Sequence, residues 1–115
     1  MIRAELRADA GGRILSCKIS GHSGYAESGH DIVCAAVSVL CTTCVNSLES
    51  VCGIQPTVRG GANGHLEFAL PSGMTESQRH DAQIILRALR QGLRDVAGEY
   101  PQYVTLAILN GGKQR

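Results

Sequence analysis

The stretch from Gly21 to Ser38 reads Gly-His-Ser-Gly-Tyr-Ala-Glu-Ser-Gly-His-Asp-Ile-Val-Cys-Ala-Ala-Val-Ser and carries the residues best suited to chemistry. His22 stands where an alternating apolar segment gives way to a glycine-rich one, and Cys34 follows after eleven intervening residues. An imidazole that reaches a thiol can take its proton, and the thiolate is the nucleophilic form of cysteine. Asp31 is a favoured helix N-cap, because its carboxylate accepts amide N–H groups two or three residues on. With Asp31 as cap, Cys34 is the third helical residue. It then sits among amides that have no intrahelical partner, at the positive end of the helix dipole, where a thiolate is favoured. The same amides, that of Cys34 included, suit the oxyanion of an acyl-transfer intermediate. Ser38 lies one helical turn after Cys34 on the same face, in reach of the thiol or of a substrate.

Gly21, Ser23, Gly24 and Gly29 belong to the loop between His22 and the helix, and are expected to shape a substrate loop. Gly24 and Gly29 are its candidate hinges, and the segment from Ser23 to Gly29 is expected to clamp a bound substrate. His30 competes with His22 as the base, but a residue so close in sequence to Cys34 points away from it. The plain alternative is a small packed cysteine and a solvated histidine.

The five cysteines are Cys17, Cys34, Cys41, Cys44 and Cys52. An odd count in a reducing compartment argues against a disulfide framework. Cys41-x-x-Cys44 offers a rival reading, a thiol-redox or zinc-binding domain. Redox pairs, however, place the first cysteine at a helix start, and this pair falls mid-helix. Zinc takes about four ligands, and His65 or His80 would have to complete the set from elsewhere. Buried small side chains are the simpler reading, so no metal and no cofactor are implied.

These residues need elements to hold them. Ile2 to Ala8 and Arg13 to Ser20 alternate as strands around the turn Asp9-Ala10-Gly11-Gly12. In the second strand Leu15, Cys17 and Ile19 are expected on one face, with Ile14, Ser16 and Lys18 on the other. From Asp31, Val33, Ala36, Val37, Leu40, Cys44, Leu48 and Val51 recur at helical spacing, ending by Gly53. Gln55 to Arg59 and His65 to Leu70 read as strands joined by Gly60 to Gly64. Thr75 with Gln78 forms a capping box for a second helix, which Gly98 and Pro101 end. Tyr103 to Leu109 reads as a last strand, buried on both faces. The expected fold is α+β, a two-layer sandwich in the order ββαββαβ. Its five-stranded mixed, mostly antiparallel sheet carries both helices on one face.

The chain has 115 residues, 43% hydrophobic and 18% charged, which fits a single domain over residues 1–109 and a polar tail over 110–115. No apolar run is read as approaching the ~18–20 residues of a membrane span, so no membrane partner is expected. A net charge of +1 leaves no basic surplus for direct nucleic-acid binding. Arg87, Arg90 and Arg94 read as a solvated basic edge. The mixed charge of the first residues, Met1 to Asp9, lacks a leader's apolar stretch and suggests a cytoplasmic protein.

The run Gly21-His22, Gly29-His30-Asp31-Ile32-Val33-Cys34-Ala35 and Ser38 resembles the signature of the ribosomal-processing cysteine protease family, Prp. The likeness spans nearly the whole chain, including Asn63-Gly64-His65 and the stretch Asp81-Ala82-Gln83-Ile84-Ile85-Leu86. The resemblance implies a two-layer α/β homodimer with a Cys–His pair at Cys34 and His22. It also implies a substrate: the precursor of a large-subunit ribosomal protein, from which an N-terminal extension is removed. A noncatalytic ribosome-associated module on the same fold is a second alternative. The chain departs from the family pattern at Ser23, where alanine is common, and in Cys41, Cys44 and Cys52.

Overall fold

The computed structural model describes residues 1–27, 31–62 and 64–111. Its elements are β1 (Ile2–Ala8), β2 (Ile14–Ser20), α1 (Ile32–Ser50), β3 (Thr57–Ala62), β4 (His65–Ala69), α2 (Glu76–Glu99) and β5 (Val104–Leu109). The five strands form one sheet in the order β3-β4-β2-β1-β5. β1 and β5 run parallel, and every other neighbouring pair is antiparallel. This is the α+β architecture expected from the sequence.

One face of the sheet is apolar. Ile2, Ala4, Leu6 and Ala8 of β1 are buried, while Arg3 and Arg7 between them are exposed. Cys17 and Ile19 of β2, Phe68 of β4 and Val104 of β5 join them in a single core. Both helices close over that face: α1 contributes Val33, Val37, Cys41, Cys44 and Leu48, and α2 contributes Ala82, Leu86, Leu89 and Leu93. The α2 capping box forms as expected, Thr75 and Gln78 exchanging hydrogen bonds of 2.9 and 3.1 Å.

Four expectations are corrected. In β2 the register skips Leu15, because Ala8 pairs with Ile14 and Arg7 with Ser16. This bulge reverses the phase: Ile14 is fully buried and Leu15 is turned out, 41% exposed. The amide and carbonyl of Ile14 are taken by the Gln83 side chain of α2, at 2.8 Å each. In β5 only one face is covered. Both helices pack on the side of Val104, so Thr105, Ala107 and Leu109 on the opposite side are exposed. β3 starts at Thr57 and includes Gly60 and Gly61, which were expected to belong to the connection. A register shift between Gly60 and Ala62 accommodates them. Finally, α1 is long and apolar enough by composition to cross a bilayer, contrary to the reading of the apolar runs. Its packing accounts for that composition, since one face of the helix lies in the core.

Candidate active site

The loop that carries His22 begins where β2 leaves the sheet. Gly21 donates its amide to the Gly64 carbonyl at 2.8 Å, one step past the last β2–β4 pair, Ser20 with His65. Gly21 has φ +90°, and a Cβ there would lie 2.2 Å from the Met1 carbonyl oxygen, so only glycine fits the crossing. The amino group of Met1 donates to the His22 carbonyl. The His22 side chain is exposed and its ring stands over Gly64, where a Cβ would be 2.8 Å from Nε2. A position with no side chain thus seats the imidazole.

Asp31 caps α1 as expected. Its Oδ1 accepts the amides of Val33 and Cys34 at 3.0 and 2.9 Å, and its carbonyl accepts that of Ala35. Burial works against the charge on Asp31. The Ser23 hydroxyl and Cys34, through its amide and its thiol, outweigh it and bring the carboxyl down to about 2. The cap has a cost for the expected oxyanion site. The amides of Val33 and Cys34 are occupied by the carboxylate, so the Cys34 amide is not a free donor in this arrangement.

Cys34 is half-buried, whereas Cys17, Cys41, Cys44 and Cys52 are buried. A cavity of about 350 Å³ is lined by His22, Cys34 and Ser38 together with Cys41, Gly64 and His65. A second, of about 530 Å³, is lined by His22, Cys34 and Ser38 with Gly24, Ala26 and Asp31. His22, Cys34 and Ser38 therefore share both cavities: the end of β2 and the first turns of α1 meet at one end of the strands. Gly24 reaches the second cavity, as a loop residue should. Ser23 does not face solvent or a substrate; it is turned inward against Asp31. Gly29 and His30 lie outside the described residues.

Two contacts went unnoticed in the sequence. One is the bond between Ser23 and Asp31, for which no periodic pattern gives a signal. The other is the packing of Tyr25 edge-on against Tyr100 and Tyr103, with ring centroids 5.8 and 5.2 Å apart. All three tyrosines of the chain meet there, so the loop after His22 is pinned to the body of the domain.

Cys41 and Cys44 sit in the core rather than at a redox-active helix start. Burial pushes the Cys44 thiol up to about 12, and a hydrogen bond with Cys41 together with burial pushes Cys17 far up. Among the described residues no group of three or more His, Cys, Asp or Glu side chains is placed to hold a metal ion.

Residues 1–105 match the family described as Cysteine protease Prp. The chain belongs to the Prp cysteine protease family. It is 30% identical over 101 residues to the ribosomal processing cysteine protease Prp of Bacillus subtilis, covering 87% of this chain and 90% of that one. It is 27% identical over 106 residues to the Prp of Staphylococcus aureus, covering 92% and 97% of the two chains. A crystal structure of the Staphylococcus aureus Prp, in complex with a covalently linked product peptide, superimposes with a TM-score of 0.83. The match has 25% identity and covers 94% of this chain and 99% of that one. Prp membership makes this domain a cysteine protease of ribosomal processing, and it fixes the fold independently of the strand-by-strand reading.

Proposed function

We propose that Cys34 is the nucleophile and His22 the general base and acid of a protease that trims the N-terminal extension of a large-subunit ribosomal protein precursor. One observation carries the reading. The cysteine held outside the core shares both cavities with His22 at the adjoining strand end, whereas His65 lines only the first. A covalently linked product peptide on the Staphylococcus aureus relative is consistent with an enzyme that forms a bond to its substrate.

In this mechanism His22 takes the Cys34 proton and the sulfur attacks the scissile carbonyl, giving a tetrahedral oxyanion. Collapse breaks the C–N bond, and His22 returns the proton to the leaving amine. A water deprotonated by His22 then hydrolyses the thioester and frees Cys34. Ser38, one turn beyond Cys34, offers its hydroxyl to the substrate. Of the segment from Ser23 to Gly29, the part beyond Ser23 is the proposed clamp, with Gly21 at its root and Ser23 anchored on Asp31 instead of touching the substrate. We assign no metal or cofactor to the reaction.

A homodimer is part of the same proposal. Val39 of α1 is 63% exposed, and an apolar groove runs from Ala35, Ala36 and Val39 past Leu40 to Ala88 and Val96 of α2. Such a strip is better covered than left in water. The test of the function is incubation with the host's ribosomal protein precursor. Cleavage should vanish in Cys34→Ala and in His22→Ala. Cleavage that survives either substitution refutes the pair.

A further inference from the structure

Ser23 directly follows His22 and is only 4% exposed. A buried hydroxyl needs partners, and this one has two. It donates to Oδ2 of Asp31 and accepts the amide of Tyr25 at 2.9 Å. The other carboxylate oxygen, Oδ1, holds the amides of Val33 and Cys34. One carboxylate therefore joins the segment bearing the base to the turn bearing the nucleophile. The same bond ties residue 23 to residue 31.

That link has a catalytic consequence. We propose that Ser23 is a positioning residue for the protease reaction: its hydroxyl fixes the Asp31 carboxylate, which is seated on the first-turn amides of α1, and so holds the segment bearing His22 against the turn bearing Cys34, with the imidazole in place to take the thiol's proton.

The proposal rests on the Cys34–His22 reading. The titratable groups facing this corner are His22 after β2, Cys34 and Cys41 on α1, and His65 on β4. The amino group of Met1 adds a positive charge at the His22 carbonyl.

The test is the rate at which iodoacetamide alkylates Cys34, located by peptide mass mapping and followed from acid to alkaline pH. This probe is neutral and independent of peptide cleavage. In Ser23→Ala the rate at neutral pH should fall by roughly five- to tenfold, the range expected for one hydrogen bond. It should recover in alkali, where the thiol ionises unaided. A merely structural serine would instead lower the rate by the same factor at every pH. Ser23→Thr and Ser23→Val have the same shape and differ in the hydroxyl. Thr should outpace Val at neutral pH, even if the alanine variant fails to fold. A wild-type rate in Ser23→Ala at every pH, a loss by the same factor at every pH, or equal rates for Thr and Val would overturn the proposal. The predicted pattern in a protein that cuts no precursor would refute the protease reading and still support this role for Ser23.

Discussion

Gly64 is the seat of His22: a Cβ at position 64 would stand 2.8 Å from the imidazole Nε2 and 2.8 Å from the Gly21 carbonyl oxygen. The ring could swing away, but the backbone oxygen cannot. Gly64 also has φ +72°, a conformation that costs an L-residue roughly 1–2 kcal/mol. Gly64→Ala should therefore displace the imidazole from the cavity it shares with Cys34. The expected result is a fall in kcat/KM of about tenfold or more, which is at least ~1.4 kcal/mol of lost transition-state stabilisation. Steady-state kinetics beside a thermal melt check it, and wild-type kinetics in a folded variant would show that the ring is held by something else.

Asp31 gives the fold a dependence on acid. Its carboxyl titrates at about 2 in the folded chain, against 3.8 for an unperturbed group. The folded pKa is depressed, so this contribution to stability is complete above the unfolded value and is lost as pH falls from 3.8 towards about 2. Asp31→Ala removes the cap and should cost about 1 kcal/mol at neutral pH. Melting temperatures of the two proteins should converge through that acid window. A gap that stays constant would mean that Asp31 titrates normally.

Gln83 holds the β2 bulge in place through two bonds of 2.8 Å to the backbone of Ile14. Gln83→Leu leaves both backbone groups without these partners beside a fully buried side chain, at a cost of roughly 1–3 kcal/mol. Chemical denaturation should read this loss, while kcat/KM of the remaining folded protein stays unchanged, because Gln83 lines neither cavity next to Cys34.

The contrast between Gln78 and Gln83 shows what a sequence makes legible. Gln78 acts within its own helix, three residues from Thr75, and the spacing alone identifies it. Gln83 acts on a strand 69 residues away, and nothing local distinguishes it from a solvated helix residue. The same division runs through the site. Asp31 as the cap and Cys34 in the first turn follow from local rules, and α1 starts where those rules place it. The occupation of the Cys34 amide by the cap, the inward turn of Ser23 and the seat at Gly64 depend on how β2, β4 and α1 meet. The double burial expected for β5 erred for a related reason. Its run of aliphatic residues records one packed face, and the placement of both helices on that side, which leaves the other open, is a matter of topology.

The apolar groove between α1 and α2 carries the proposed dimer. Val39→Asp places a charge on its exposed rim, and like charges would then face each other across a symmetric interface. Light scattering coupled to gel filtration should report a dimer for the wild type and a monomer for the variant, with the melting temperature little changed. A dimer that survives Val39→Asp would place the interface elsewhere.

The central claim is that the sulfur of Cys34 forms a bond to the substrate acyl group, and trapping that bond tests it most directly. The wild-type protein is mixed with a peptide spanning the precursor's cleavage site and quenched in acid during turnover. The protein is then mapped by mass spectrometry. The account predicts a mass increase equal to the N-terminal fragment of the peptide, located on Cys34 and absent in Cys34→Ala. An acyl group on Cys17, Cys41, Cys44 or Cys52, or continued cleavage by Cys34→Ala, would contradict it.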